Sequence, residues 1–324
     1  MNATTAVTLS GSNASIKVGQ FITGTSIAGD TYVAAISGTA LTLSKNASGS
    51  STSTLSFYTP HGVVVGGGNN QATGSYSFIG GGGDAGTAGN RNVASGDWSV
   101  VGGGLKSTAS STYSAVVGGT NNTASGFGSF VGAGAYNTAS ATYSGIVGGN
   151  ANTANASGTS VLSGYSGTTR SIGGNTVFSA SVNPINTSSG TSQSALLVLA
   201  RQTTDATATV LASDNNAASG TNQVILPNNS AYYFRGEVIA GVTGAGNTKG
   251  WYIEGVIKRG AGVGTTALVG TPTVMSAYAD AGAVTWAVTA TADTTNGGLA
   301  ITVTGQASTT IRWVAQIRTT EMTY

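Results

Sequence analysis

An all-β chain in three parts is the fold class these 324 residues predict, and three observations predict it. A phrase of about fifteen residues recurs between His61 and Gly164. Apolar and polar residues alternate with period two on both sides of it, and helical periodicity is missing throughout. The expected parts are a small β module over 1–60, a shaft of parallel β-roll coils over 61–166, a connector over 167–193 and an antiparallel, jelly-roll-like β-sandwich head over 194–324.

The first 60 residues hold short alternating segments: Val7–Leu9, Ser15–Thr23, Thr31–Ile36, Ala40–Ser44 and Ser53–Tyr58. Gly, Asn, Ser and Asp punctuate them, as expected for a small antiparallel domain. Thr59-Pro60-His61-Gly62 reads as the joint to the repeats, because Pro60 disfavours strand continuation.

The recurring phrase is anchored on Ala-Thr/Ser at Ala72, Ala94, Ala109, Ala124 and Ala139, then Ala154-Asn155. From Ala94 onward the steps are fifteen residues; the first step is twenty-two, which places an insert near Gly82–Gly89. Two residues before the anchors stand Asn70, Asn92, Ser107, Asn122, Asn137 and Asn152. Five after them stand Ser77, Ser99, Ser114, Ser129, Ser144 and Thr159. Seven after them stand Ile79, Val101, Val116, Val131, Ile146 and Val161, always β-branched. Fifteen residues suit a coil of two short strands and two tight turns, with glycines supplying the left-handed corners. Stacked coils stand about 4.8 Å apart, so each column becomes a ladder. One coil cannot bury its own stripe, so the stack, together with a partner chain, must do so.

After the Ser/Gly/Thr/Asn-rich connector around Pro184, longer alternating runs begin: Ala195–Arg201, Ala206–Leu211, Gln223–Leu226, Ala231–Val242, Gly250–Lys258, Thr273–Ala277, Val284–Ala290, Leu299–Val303 and Thr310–Arg318. About nine strands in some 130 residues argue for a sandwich. Trp251, Ile253 and Ile257 share one strand face, and Ile311, Trp313, Ala315 and Ile317 share another.

Composition narrows the function classes. Twelve Lys plus Arg against ten Asp plus Glu, with a formal net charge of +2, leave no electrostatic footprint for nucleic acid or an anionic membrane. Cysteine is absent, so disulfides and thiolate metal sites are excluded. The N-terminus lacks the basic and apolar regions of an export signal, and no apolar run approaches the ~20 residues of a spanning helix. No nucleic-acid partner and no membrane insertion are expected.

The phrase Asn70-Gln-Ala-Thr-Gly-Ser-Tyr-Ser-Phe-Ile-Gly-Gly resembles the left-handed β-roll repeats of YadA-type trimeric adhesin heads, which also occur in bacteriophage tail fibres. The first 60 residues, and the head segments Phe234-Arg-Gly-Glu, Trp251-Tyr-Ile-Glu-Gly and Ile311-Arg-Trp-Val-Ala, are similar to modules of marine and cyanobacterial phage fibres. The resemblance implies a left-handed roll, a parallel homotrimer of three identical chains, other virion tail proteins at the N-terminal end, and a virion, extracellular location. The missing export signal and missing coiled-coil stalk with membrane anchor favour the phage member over a bacterial surface adhesin fragment.

Candidate sites follow from residue type. The repeats hold two carboxylates, Asp84 and Asp97, and His61 is the chain's single histidine. Glycan hydrolysis asks for two carboxylates about 5–9.5 Å apart, and a hydrolase triad would need His61 at an exposed joint, so no catalytic residue is assigned and no enzyme is expected. Gly66-Gly-Gly-Asn and Gly260-Ala-Gly-Val-Gly lack the Lys-Ser/Thr ending and the following helix of a phosphate loop. A calcium β-roll needs an aspartate in every repeat, and the run Gly80–Gly83-Asp84 occurs once. No cofactor or metal is expected. Four residues after the anchors stand Tyr76, Trp98, Tyr113 and Tyr143, with Phe127 one residue early. Such a stripe reads as packing between coils or chains, or as a platform for sugar rings. In the head, Glu237 and Glu254 lie near Arg235 and Lys258, the pattern of cross-strand ion pairs. Loops near Asn247, Thr248, Arg259 and Asp293 complete the candidate receptor-binding set. The function expected is a homotrimeric phage tail fibre adhering to a bacterial surface polysaccharide or lipopolysaccharide without turnover. The alternatives are a tailspike depolymerase and a purely structural virion connector or decoration.

Overall fold

The computed structural model describes residues 4–29, 31–58, 62–182, 184–185, 188–244 and 246–324. The joint at Thr59, Pro60 and His61 lies outside them. The chain forms two compact units, Met1–Val117 and Gly118–Tyr324, so the division falls inside the repeats and not at their ends. A coil touches only its neighbours, and such an array has no boundary of its own. Helix is confined, among the described residues, to the 3-10 turns Ala88–Asn90, Val263–Thr265 and Ala281–Ala283.

In the first unit, Ala40–Leu43 pairs antiparallel with both Ala6–Thr8 and Val33–Ser37, and Phe21–Thr23 pairs with Ser56–Tyr58. Ile16, Ile22, Val33, Leu41 and Leu43 form the core of this module. The long strand expected over Ser15–Thr23 is reduced to its last three residues. The Gln20 side-chain oxygen accepts the Lys17 N–H at 2.9 Å, and Gly19 turns left-handed at φ +91°, so a turn occupies the first half.

Each coil is two two-residue strands, as the fifteen-residue period predicts. In the first unit Val63–Val64, Phe78–Ile79, Val100–Val101 and Ala115–Val116 stack in parallel, as do Gln71–Ala72, Val93–Ala94 and Thr108–Ala109. In the second unit Phe130–Val131, Gly145–Ile146 and Ser160–Val161 stack in parallel, as do Thr123–Ala124, Thr138–Ala139 and Thr153–Ala154. The Ile/Val column and Ala94, Ala109, Ala124, Ala139 and Ala154 are fully buried by the chain itself. Each Ile or Val so buried contributes about 1.5–3 kcal/mol. The interior is therefore complete within one chain, contrary to the expectation that a partner must finish it. The interior columns are small residues, and two closely spaced sheets of one chain suffice to cover them.

The asparagine column supplies the cross-ties. The Asn137 carboxamide donates to Ala133 O at 3.1 Å in its own coil and to Gly149 O at 3.0 Å in the next, while its oxygen accepts the Asn152 N–H at 3.1 Å. Asn122 and Asn152 repeat this, Asn122 with Gly118 O and Gly134 O, Asn152 with Gly148 O and Gly164 O. In the first unit Asn70 bonds Gly66 O and Gly82 O, and Asn92 bonds Gly81 O and Gly104 O, so the insert is looped out without breaking the ladder. Ser107 stands at one rung with its hydroxyl buried and unpartnered. In the serine column, Ser114, Ser144 and Thr159 donate to carbonyls three residues back, whereas the hydroxyls of Ser77, Ser99 and Ser129 are buried without a partner.

The expected connector carries a strand. Thr176–Ser179 pairs in parallel with Ser160–Val161 and antiparallel with Ser192–Thr203, so the coil sheet passes without a break into the head. The large head sheet then runs Ser192–Thr203, Ile311–Thr323, Ser230–Val242, Thr248–Arg259, with Thr273–Ala279 and Ala267–Leu268 at the far edge. Over it lies a second sheet of Thr209–Val210, Gly298–Thr304, Val224–Ile225 and Ala287–Asp293. Between them pack Leu199, Phe234, Ile253, Trp286, Leu299, Ile301, Trp313 and Ile317, with Trp313 Nε1 donating to Thr203 Oγ1 at 2.9 Å. The strand expected over Val284–Ala290 starts only at Ala287, because the Ala281–Ala283 turn holds the Trp286 N–H against Ala283 O.

A buried ion pair and a buried lysine fasten this unit. The Arg170 guanidinium, at the end of the coils, meets Glu321 of the last strand at 3.0 Å and donates to Gly190 O at 2.6 Å; Gln193 and Thr319 also donate to Glu321. Lys249 is 7% exposed and donates to Val284 O at 3.0 Å and Trp286 O at 2.7 Å, its ammonium 5.1 Å from the Trp251 ring centre. Desolvation lowers its pKa from 10.5.

Asn137→Ala strands two corner carbonyls and an N–H, and is expected to cost about 3 kcal/mol or more. Ser107→Asn restores the missing rung and is expected to gain ~1 kcal/mol. Chemical denaturation of the two variants beside the parent chain measures both.

Candidate functional site

The aromatic column sits at a coil corner. Tyr76, Trp98, Tyr113 and Tyr143 all adopt left-handed backbone, with φ of +59°, +54°, +59° and +55°. Gly128 and Gly158 occupy the same place in the other coils at +61° and +65°, which explains why Phe127 stands one residue early. Non-glycine residues there cost about 1–3 kcal/mol each. Aromatic residues interchanging with glycine at one repeat position is the signal by which sequence alone could have shown the corner.

The structure brings these side chains into a stack. Tyr76 and Trp98 lie with ring centres 5.7 Å apart and planes at 9°, and Trp98 and Tyr113 at 5.3 Å and 22°. In the second unit Phe127 meets Tyr143 edge-on at 5.6 Å. Trp98 remains 48% exposed, but the ring faces in the first-unit stack are spent on one another. A sugar laid along the column would meet ring edges, whereas carbohydrate stacking uses faces. The geometry therefore favours the packing role of the two that the sequence leaves open.

The two repeat carboxylates are engaged as hydrogen-bond acceptors. Hydrogen bonds from the Asn90 carboxamide and the Gly86 N–H hold Asp84 below the ordinary carboxylate range, the opposite of what a general acid needs. Asp97 accepts the Ser75 N–H at 2.9 Å and meets Lys17 at 3.6 Å. A cleft of about 1060 Å³ between the N-terminal module and the first coils is lined by Lys17, Gln20, Tyr58, Gln71 and Asp97, and Asp97 is the one carboxylate among its described lining residues. His61 lies outside the described residues. Among the described residues no group of three or more acidic or histidine side chains is placed to hold a metal ion.

The head candidates fall at opposite ends of one strand. Thr248 opens and Arg259 closes the twelve-residue strand Thr248–Arg259, which spans roughly 36 Å. At one end the Thr248 N–H donates to Asp280 at 2.8 Å, and Asn247 stands exposed beside Gly282. At the other, the Arg259 guanidinium donates to Leu226 O and packs on Gly297. Asp293 caps the adjoining turn, accepting Thr295 N–H and Asn296 N–H at 2.9 Å and the Asn296 carboxamide at 2.8 Å. Arg259 and Asp293 thus shape a hairpin end.

The cross-strand ion pairs do not form. Arg235 stands directly opposite Glu254, yet among the described residues the ion pairs are Lys17–Asp97 and Arg170–Glu321. Glu254 instead accepts the Tyr252 hydroxyl at 2.6 Å. These residues belong to the outward face of the large sheet, which the sequence reading passed over. That face carries a groove of about 920 Å³ lined by Glu237, Ile239, Tyr252, Tyr278, Val314 and Gln316. Ile239, Val314 and Tyr278 are 57%, 43% and 82% exposed. The available signal was Val314 between Arg312 and Gln316, an apolar residue on the polar side of an otherwise regular alternation.

Two outcomes are expected. Trp98→Ala removes both stacking contacts and lowers stability by ~1 kcal/mol or more; unchanged melting with lost glycan binding would identify an open platform instead. For Asp293, burial raises the pKa, but the Asn296 and Thr295 donors outweigh it and the net value lies below 3.8. Its contribution is therefore complete above pH 3.8 and is lost as pH falls through the lowered folded value. Melting followed from about pH 5 to about pH 2 should fall less steeply in Asp293→Asn.

No family model and no curated protein matches the chain. Among solved structures it is similar to the tailspike protein of Acinetobacter baumannii phage AM24, at 8% identity and a TM-score of 0.21, over 79% of this chain and 54% of that one. It is also similar to tailspike protein gp49 of Acinetobacter baumannii bacteriophage Fri1, a capsular polysaccharide depolymerase, at 10% identity and a TM-score of 0.22, over 78% and 41%. The chain spans about half or less of the length of these structures, and at these scores the similarity assigns it neither activity nor ligand.

Proposed function

We propose that this chain is a homotrimeric tail fibre protein of a phage virion, acting outside the cell, that adheres to a bacterial surface glycan without turning it over. The observation that carries the reading is the unbroken sheet that leads from coils to head. Ser160–Val161, Thr176–Ser179 and Ser192–Thr203 are consecutive hydrogen-bonded strands, and Arg170 and Glu321 bind the last coil turn to the last head strand. Hydrogen bonds that follow one another at about 4.8 Å transmit force along the stack, as a stalk presenting a head must. The YadA-like phrase and the fibre-like head segments support the same reading. Several weak sites on three joined chains would reach useful avidity without any one of them binding tightly.

The test uses the full-length chain, fluorescently labelled, on an array of bacterial capsular polysaccharides and lipopolysaccharides, with the retained glycans sized afterwards. Retention on at least one glycan with its length unchanged is expected. Shortened glycan would replace adhesion by depolymerisation, and no retention on any would leave a structural virion part.

A further inference from the structure

A two-sided sheet in water ordinarily turns polar residues outward. In the Gly118–Tyr324 unit one sheet does so and the other does not. Thr123, Thr138 and Thr153 face outward on one side of the coils. On the other side each coil turns out one large apolar residue: Phe130, Val147, Leu162 and then Phe178. Phe130 stands in register with Gly145, so large residues alternate with bare backbone. Because the sheet is continuous into the head, the row goes on as Val198, Val314 and Ile239. Phe130, Val147, Phe178, Val198, Val314 and Ile239 are 41%, 57%, 48%, 49%, 43% and 57% exposed. The coils of the first unit carry the same feature, with Phe78, Val100 and Val117 exposed.

This face carries four cations, Arg235, Arg312, Arg318 and Lys258, against two carboxylates, Glu237 and Glu254. Arg318, Arg235 and Glu254 stand directly opposite one another on three adjacent strands, and Glu237 follows Arg235 on the same face. Among the described residues none of these four forms an ion pair. Two arginines directly opposite are unfavourable within one sheet, so the arrangement waits for carboxylates from elsewhere. The same face of a second copy offers two. It also offers a matching apolar row, whereas a free saccharide would find few hydrogen-bonding groups on Val198, Val314 and Ile239. Five strands about 4.8 Å apart and up to about 43 Å long present ~800 Å² in the head alone, the area per partner of a stable interface.

Resting on the homotrimeric reading above, we propose that this face is where copies of the chain meet. The apolar row lies along the shared axis, and Arg235 and Arg318 of one copy pair with Glu237 and Glu254 of the next. The first unit's row of Phe78, Val100 and Val117 belongs to the same kind of surface.

The cysteine-free chain makes the test direct. In the full-length protein, Val314→Cys is expected to form interchain disulfides on oxidation, and Thr138→Cys, on the polar sheet, is not. Arg235→Glu with Arg318→Glu should raise the dissociation midpoint in native mass spectrometry at least tenfold in concentration. Adding Glu237→Arg and Glu254→Arg should restore assembly among the reversed chains but not with the parent chain, with circular dichroism confirming the fold of each. A parent chain that is folded and monomeric at micromolar concentration overturns the proposal, as does an assembly indifferent to both the cysteine and the charge variants. Glycan retention is scored on the same samples. Assembly without retention then counts against adhesion alone, and retention by a monomer counts against the homotrimer and this interface but not against adhesion.

Discussion

One carboxamide per coil is the tie on which the rest of the structure depends. A coil of two-residue strands leaves most of its backbone at corners, where no strand partner is available, and buried corner carbonyls cost stability unless they are bonded. An asparagine at a fixed point reaches back four residues within its own coil and up to the equivalent glycine of the next, as Asn122 does with Gly118 and Gly134. Its oxygen then takes the next coil's N–H. The forward reach from asparagine to the next coil's glycine is twelve residues at every rung from Asn70–Gly82 to Asn152–Gly164. The longer first interval keeps the tie: the extra residues are looped out, and Asn92 still joins Gly81 to Gly104.

Glycine has two separate duties around that tie. At Gly134, φ is +101°, so the corner itself requires a residue that tolerates the left-handed region. At Gly126 the backbone is ordinary, but a Cβ would collide with the carbonyl oxygen of Ala141 in the next coil. The first duty can be taken over at a cost, and Tyr76, Trp98, Tyr113 and Tyr143 take it over at the other corner. Ring stacking between adjacent coils offsets strain that a lone aromatic residue would carry, because both effects are about 1 kcal/mol in size.

The unit that holds the head works as one sheet with two different faces. Its inner face is closed by the small sheet above and by Trp286 and Trp313, with Arg170–Glu321 and Lys249 satisfied at the margins. Its outer face is apolar and charged by turns, and its arginines and glutamates form no ion pair with one another among the described residues. On the proposed reading, rigidity and association fall to opposite sides of the same strands: what lies inside holds the head to the coils, and what lies outside would meet another copy. The polar threonine face of the coils takes part in neither.

Much of this was determined by the sequence alone. The period, the inward Ile/Val and Ala columns, the asparagine rungs and the inward face of Ile311–Ile317 follow from local chain geometry, because a residue's side of a two-residue strand depends only on its place in the phrase. The exclusion of disulfides is equally direct. What only tertiary structure decided is whatever depends on the neighbour across a gap. In the first unit the aromatic stripe became a face-to-face stack of Tyr76, Trp98 and Tyr113, whereas Phe127 meets Tyr143 edge-on, and no spacing rule encodes that angle. Arg235 and Glu254 were expected to pair and do not, since the Tyr252 hydroxyl reaches the carboxylate first. Within the expected connector, Thr176–Ser179 became a strand because Ser160–Val161 offered it an open edge. Hydrogen-bond partners distant in the chain are chosen by the folded surface, and a linear pattern carries the demand for a partner without naming it.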